Sequence, residues 1–249
     1  MADDDDSTDT AGQTEAPPVF TTTTGPVRII TAASLFDGHD AAINVMRRLI
    51  QSSGAEVIHL GHDQSAKAVV DCAVQEDAHA IALTSYQGGH VEYLTYIRQL
   101  LDEAGCAHVR IFAGGGGTIT PPEIRTLHQS GIEKIYSPDD GRSMGLMGMI
   151  HHLMENACKA DLIAESRLAS LDGPVTAEDM AKVGLLLTLS ETADDSTFKS
   201  TLDKCRSSQK EVPVIGFTGT GGAGKSSLLD EVMLRILRDN PDKKICLLC

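Results

Sequence analysis

"VRIITAASLFDGHDAAINVMRRLIQSSG", residues 27–54, passes from an apolar run through a polar loop into an amphipathic pattern. Its first seven residues are mostly β-branched or small and apolar, which is typical of a buried strand. Apolar residues then recur at helical spacing over residues 42–53, and Gly54 ends the pattern. The stretch predicts a strand, a loop and a helix.

Four more strand and helix patterns follow in the same alternation. Strands are predicted over residues 56–61, 80–85, 108–114 and 132–138, and helices over residues 65–77, 90–105, 121–131 and 142–158. Because alternating strands and helices form parallel sheets with right-handed crossovers, residues 27–158 predict a doubly wound, flavodoxin-like or Rossmann-like α/β domain with five parallel strands. Ligands of such folds bind outside the carboxyl ends of the strands.

The remaining segments differ in composition. Residues 1–26 contain six acidic residues and no Lys or Arg, which predicts a disordered acidic tail. Residues 159–210 show helical periodicity and predict a helical linker. Residues 211–249 contain an apolar run, a glycine loop, a helical pattern and a second apolar run. We expect them to be the truncated beginning of a second α/β domain.

Composition narrows the functional classes. The formal net charge of −14 argues against binding to nucleic acid or to an anionic membrane. Neither a signal peptide nor an apolar run long enough to span a membrane is recognised. The six cysteines are mostly far apart, which favours reduced thiols in a cytoplasmic protein. Cys246 and Cys249 form a CxxC pair, which we expect to lie in a buried strand rather than to bind zinc.

The glycine loop "GTGGAGKS", Gly219–Ser226, matches the P-loop pattern and stands between an apolar run and a helical pattern. Backbone amides of such loops face phosphate oxygens, and the following helix adds a partial positive charge. Lys225 is expected to reach the β- and γ-phosphates and Ser226 to bind Mg²⁺. The predicted nucleotide-binding residues are Gly219, Gly221, Gly222, Ala223, Gly224, Lys225, Ser226 and Ser227. We do not expect this chain alone to be a complete nucleotide hydrolase, since later elements of such enzymes are not recognised in it.

The loop after the first strand contains Asp37, Gly38, His39 and Asp40. One interpretation is a polar turn in which an aspartate caps the next helix. The other is a binding site, because a carboxylate bonded to one imidazole nitrogen leaves the other nitrogen free as a ligand. Two more strand-end loops, "SYQGGH" (85–90) and "AGGGGT" (113–118), would let a large ligand approach the backbone at the same sheet edge.

Together these three loops resemble the cobalamin-binding domain of B12-dependent mutases and methionine synthase. The resemblance covers residues 27–158 and implies that His39 is the lower axial ligand of cobalt, with Asp37 as its hydrogen-bonding partner. It implies no catalytic residue in this segment. The cofactor-binding residues implied are Asp37, Gly38, His39, Asp40, Ser85, Gly88, Gly89, Gly114, Gly115, Gly116 and Gly117, with Ser85 contacting the benzimidazole. The chain departs from the family at Ala42, usually glycine, and at Ala33, where many acyl-CoA mutases have lysine.

A cobalamin domain followed by a P-loop segment is similar to the order in fused isobutyryl-CoA mutases. This resemblance implies an isomerase that converts isobutyryl-CoA to n-butyryl-CoA with adenosylcobalamin. It also implies a chaperone GTPase that uses GTP with Mg²⁺ to gate cofactor loading, a later TIM barrel that binds the acyl-CoA substrate, and a cytoplasmic homodimer.

Three alternatives stay open. The chain could be a stand-alone B12 carrier or sensor module without catalysis. It could be a response-regulator-like or nucleotide-binding flavodoxin-like domain with Asp37 as the phosphoacceptor. It could also be a metal-dependent enzyme that uses His39, His59, His62 and His90.

Overall fold

The computed structural model describes residues 20–206 and 212–248. The chain divides into two compact units, Met1–Ser207 and Ser208–Cys249, and each is described by itself. Most of the predicted acidic tail, the end of the predicted linker and Cys249 lie outside the described residues. No helix in the described part of the chain is both long enough and apolar enough to cross a membrane.

The first unit is built on a five-stranded parallel sheet. Its strands are β3 (Arg28–Ser34), β4 (Glu56–Gln64), β5 (Ala80–Thr84), β6 (Arg110–Gly114) and β7 (Lys134–Tyr136), in the order β4-β3-β5-β6-β7. A short hairpin of β1 (Thr21–Thr22) and β2 (Gly25–Pro26) precedes it. The prediction of a doubly wound sheet is confirmed, with the strand order reversing between β3 and β5.

Five helices cover the two faces of the sheet. They are α1 (Asp40–Ser52), α2 (Ala66–Gln75), α3 (His90–Glu103), α4 (Pro121–Gln129) and α5 (Pro138–Ala157). Helices α2, α3 and α4 bury one face, while α1 and α5 bury the other. Each predicted helix and strand of this unit is present, and most ends differ by only one to four residues from those expected.

The loop after β7 is much shorter than its sequence suggests. Helix α5 begins at Pro138 rather than at residue 142, because Ser137 Oγ accepts a hydrogen bond from the backbone N–H of Asp140. The Asp140 carboxylate in turn accepts one from the Ser137 N–H, which completes a capping box. Gly145, at φ 66°, then interrupts the helix.

Residues 159–206, also in the first unit, contain three helices and no strand, as predicted, and they pack against α2. Their helices are α6 (Glu165–Leu168), α7 (Met180–Thr192) and α8 (Asp195–Cys205). Gly184 of α7 lies so close to α2 that a Cβ would come within 2.9 Å of the Val74 carbonyl oxygen. A buried polar network adds to this packing, since Asp77 accepts hydrogen bonds from Arg167 (2.6 Å) and Thr188 (2.8 Å).

The described part of the second unit contains the helix α9 (Lys225–Asp239) and no strand. The two apolar runs, VPVIGFTG (212–219) and KKICLLC (243–249), predict strands, but no strand occurs in their described residues. A strand needs a hydrogen-bonded neighbour and a cover for its side chains. Val214 is 94% exposed and Leu248 is 92% exposed. Cys246 is exposed as well, so it does not lie in the buried strand predicted for it.

Candidate ligand site at the carboxyl edge of the sheet

Asp37 stands just beyond the carboxyl end of β3, and its carboxylate is completely buried. One oxygen lies 2.7 Å from Nδ1 of His39 and accepts the His39 backbone N–H at 2.9 Å. The other accepts the backbone N–H of Tyr86 at 2.6 Å. Burial raises the pKa of Asp37, but the hydrogen bonds from His39 and Tyr86 outweigh it and hold that pKa below its usual value. The group is therefore a carboxylate.

His39 is oriented by this carboxylate and keeps one nitrogen free. An ionised Asp37 accepts hydrogen bonds, so Nδ1 carries a proton, and it is Nε2 that can carry the free lone pair of the imidazole. Nε2 has no hydrogen-bond partner among the described residues, and the side chain is 64% exposed. The Tyr86 ring lies 5.5 Å from the imidazole, centroid to centroid. His39 occupies the N-cap position of α1 without a side-chain capping bond.

Asp63, a residue that was not predicted for the site, holds the loop from the neighbouring strand. Asp63, in β4, accepts the backbone N–H of Phe36 at 2.7 Å, and its own N–H donates to the Asp37 carbonyl at 3.3 Å. Both Asp63 and Phe36 have left-handed backbones, at φ 57° and 62°. The sequence signal was an aspartate at the end of the next predicted strand.

Ser85 ties together the ends of three strands. Its hydroxyl accepts a hydrogen bond from Ser34 Oγ at 2.9 Å, and its N–H donates to the Gly114 carbonyl at 2.9 Å. Its own carbonyl oxygen would lie 2.0 Å from a Cβ on Gly115. Only glycine fits at position 115.

Three of the predicted glycines line a cavity beside the loop, and four do not. Gly114, Gly115 and Gly116 line a cavity beside the loop, whereas Gly38, Gly88, Gly89 and Gly117 do not. Gly88 (φ 81°) and Gly89 (φ 64°) turn the chain into α3. Asp40 is the first residue of α1 and its side chain is exposed.

The cavity has a volume of about 270 Å³ and lies between the sheet and helices α1 and α5. Its walls are largely apolar and include Ala42, Ile43, Met46, Phe112, Tyr136 and Ile150. Thr84 also lines it, and its buried hydroxyl has no hydrogen-bond partner among the described residues. A free imidazole nitrogen, an apolar cavity and an unpaired hydroxyl fit a ligand that carries both a metal and a flat aromatic group.

Residues 27–136 match the family model of the B12 binding domain. The chain is 47% identical over 229 residues to the fused isobutyryl-CoA mutase of Geobacillus kaustophilus, and 50% identical over 216 residues to that of Cupriavidus metallidurans. These alignments cover 89% and 87% of this chain, and 21% and 20% of the relatives. The chain thus spans about a fifth of the length of the curated relatives it matches.

A solved structure similar to part of this chain is that of a cobalamin-binding protein from Desulfitobacterium hafniense. It has a TM-score of 0.44 and 18% sequence identity, and it covers 52% of this chain and 58% of that chain.

Two of the alternatives find little support in the geometry. As a phosphoacceptor, Asp37 would need an accessible carboxylate, but it is fully buried and both its oxygens accept hydrogen bonds. For a metal-dependent enzyme, no group of three or more His, Cys, Asp or Glu side chains able to hold a metal ion occurs in the described residues. His59 is instead hydrogen-bonded to Thr31 within the sheet, at 2.9 Å.

In the glycine loop of the second unit, the side chain of Lys225 is hydrogen-bonded to the backbone of the loop itself. Lys225 Nζ donates to the carbonyl oxygens of Gly219 (2.9 Å) and Thr220 (2.8 Å). Gly222 and Gly224 adopt left-handed backbones, at φ 76° and 78°, and α9 begins directly after them. The predicted residues Ser226 and Ser227 lie in the exposed first turn of α9.

Proposed function

We propose that this chain binds adenosylcobalamin through its B12-binding domain and is part of an acyl-CoA mutase that converts isobutyryl-CoA to n-butyryl-CoA. The observation that carries the proposal is the buried Asp37 carboxylate, which holds the His39 imidazole with Nε2 free beside an apolar cavity. The similarity to fused isobutyryl-CoA mutases supports the substrate.

In this proposal His39 and Asp37 would act together to hold the cofactor. Adenosylcobalamin, when bound, supplies an organic radical through cleavage of its cobalt–carbon bond. His39 Nε2 would hold the cobalt, and the carboxylate of Asp37 would keep the proton on Nδ1 and increase the basicity of the ring. Ala33 supplies no further charge to this pair. The second oxygen of Asp37 is instead held by the Tyr86 N–H.

The cavity between the sheet, α1 and α5 holds the nucleotide base in this proposal. Ala42 lines it, where relatives of the family usually have glycine, and Gly114 to Gly116 let the ligand approach the backbone. Because the cavity is apolar, it favours burial of an aromatic base over water.

We further propose that the glycine loop of the second unit binds GTP with Mg²⁺, so that GTP hydrolysis gates cofactor loading. Lys225 would exchange the carbonyl oxygens of Gly219 and Thr220 for phosphate oxygens, and Ser226 would bind Mg²⁺. In the full-length protein, Lys225→Ala is expected to abolish GTP binding measured by calorimetry. Undiminished GTP binding by that variant would refute the assignment.

The histidine ligand is tested by electron paramagnetic resonance of reduced cobalamin, Co(II), bound to this chain. Labelling histidine with ¹⁵N changes the nitrogen splitting only if the axial nitrogen comes from the protein. We expect the change in the wild type and in His62→Ala, a control in which an exposed histidine is removed. His39→Ala should lose it. An unchanged spectrum in labelled wild type would sink the assignment of His39.

A further inference from the structure

Asp63 stands at a bulge in the edge strand β4. In the ladder between β3 and β4, Ala32 pairs with Gly61 and Ser34 pairs with Gln64, so two residues of β4 oppose one residue of β3. The backbone is left-handed at Gly61 (φ 87°) and at Asp63 (φ 57°). Because a bulge redirects the side chains around it, Asp63 is able to reach the loop that follows β3.

Asp63 holds both ends of the dipeptide formed by Phe36 and Asp37. Its carboxylate accepts the Phe36 N–H at 2.7 Å, and its own N–H donates to the Asp37 carbonyl oxygen at 3.3 Å. The carboxylate of Asp37 is instead bonded to Tyr86 and His39. The backbone and the side chain of Asp37 are thus held by different residues.

Phe36 needs this support because its backbone is strained. A left-handed backbone (φ 62°) is unfavourable for a residue with a bulky side chain. The ring is 78% exposed, so its own packing offsets little of that cost. Strained residues persist where the surrounding structure determines their conformation. The hydrogen bond from the Phe36 N–H to Asp63 supplies such a constraint.

We propose that Asp63 is a positioning residue for the imidazole of His39. By holding Phe36 in its left-handed conformation, Asp63 keeps the Asp37 carboxylate 2.7 Å from Nδ1 of His39. Without Asp63, Phe36 relaxes, Asp37 moves, and the bond to Nδ1 is lost in a fraction of the molecules. The ring proton then also occupies Nε2, the nitrogen that would hold cobalt. The part of this inference that concerns cobalt rests on the proposed function, whereas the part that concerns the ring proton does not.

NMR of ¹⁵N-labelled histidine locates the ring proton in the ligand-free 249-residue chain. It is recorded at about pH 9, where an imidazole of ordinary pKa is neutral, and the His39 signal is identified by its loss in His39→Ala. We expect the Nδ1–H form in the wild type. Asp63→Gly, which removes the carboxylate but tolerates a left-handed backbone, should give a mixture with the Nε2–H form.

Two further variants serve as controls. Asp63→Asn keeps an oxygen that accepts a hydrogen bond and also tolerates the left-handed backbone, so it should match the wild type. Asp71→Ala removes an exposed aspartate from α2 and should match it as well. An equal shift in Asp63→Asn and Asp63→Gly would refute the role of the hydrogen bond to Phe36.

A second substitution tests whether strain at Phe36 is the link between Asp63 and His39. Asparagine adopts a left-handed backbone more readily than phenylalanine does. Phe36→Asn added to Asp63→Gly should therefore restore part of the Nδ1–H form. An unchanged mixture in the double variant would overturn the role given to Phe36.

Cobalamin binding, measured by calorimetry, gives the size of the effect. Asp63→Gly is expected to weaken it about three- to tenfold, the value of one ordinary hydrogen bond, and Asp63→Asn should bind like the wild type. If the wild type binds no cobalamin, or binds it without the ¹⁵N-histidine signature, the proposed function fails, and the NMR comparison still decides the role of Asp63. If Asp63→Gly keeps the wild-type position of the ring proton, Asp63 is not a positioning residue, whatever its effect on affinity.

Discussion

At the scale of single residues, the site depends on positions where an additional carbon atom does not fit. Gly115 illustrates this, because its missing Cβ would overlap the Ser85 carbonyl oxygen at 2.0 Å. The run of four glycines in the sequence shows that close approach is possible there. It does not show which glycine is required, since that depends on where Ser85 lies in three dimensions.

Gly115→Ala is expected to lower the free energy of unfolding by about 1–3 kcal/mol, the usual cost of forcing an extra carbon into packed structure. Urea denaturation followed by circular dichroism measures it. Gly117→Ala is the matched control, because a Cβ there meets no atom within 4 Å. Equal stability of the two variants would contradict this account of the loop.

The role of Asp63 depends on contacts that are distant in the sequence. Its role comes from two hydrogen bonds to a loop 27 residues earlier in the chain, so its sequence neighbours do not reveal it. By contrast, the Asp37 and His39 pair was predictable, because both residues lie in one short loop and their contact is local.

At the scale of helices and strands, periodicity predicted the order of the βα units well. It failed where local hydrogen bonds or missing neighbours decided the structure. The capping box of Ser137 and Asp140 started α5 early, and the apolar runs beside the glycine loop formed no strand in the described residues. The docking of α6 and α7 was also not predictable, since Asp77 and Arg167 are 90 residues apart.

Arg167→Ala is expected to lower the free energy of unfolding by about 3 kcal/mol, because it leaves Asp77 buried without its cation. The hydrogen bond from Thr188 keeps the loss at the lower end of the range for buried ion pairs. Arg142→Ala breaks an exposed pair with Asp139 and should change the stability by less than about 1 kcal/mol. Equal losses in the two variants would refute the structural role of Asp77.

At the scale of the whole molecule, the pH dependence of stability reflects two buried histidines near the amino end of the sheet. Burial, reinforced by the charge of Arg28, lowers the pKa of His79 to about 4. Burial, reinforced by the charge of Arg167, also lowers the pKa of His108 to about 4. Asp77 opposes both shifts. The geometry agrees for His79, because its Nδ1 accepts the Arg28 N–H at 3.0 Å and must be unprotonated.

Stability should therefore fall as the pH decreases from about 6.5 towards 4. In this range the histidines bind protons in the unfolded chain but not in the folded one. The free energy of unfolding therefore falls by up to about 1.4 kcal/mol per pH unit for each group. His79→Gln removes one of them, so its free energy of unfolding should decline less steeply with falling pH. Parallel curves for variant and wild type, from urea titrations between pH 7 and 4.5, would count against this explanation.

Strand β3 begins at Arg28, which donates to Thr188 of α7, and it ends at Ser34, three residues before the carboxylate that orients His39. The contacts that hold the connecting helices and the candidate ligand site thus lie at opposite ends of one strand. They share no side chain. We therefore expect a substitution at one end of β3 to leave the contacts at the other end unchanged, so that the connecting helices can vary independently of the Asp37 and His39 pair.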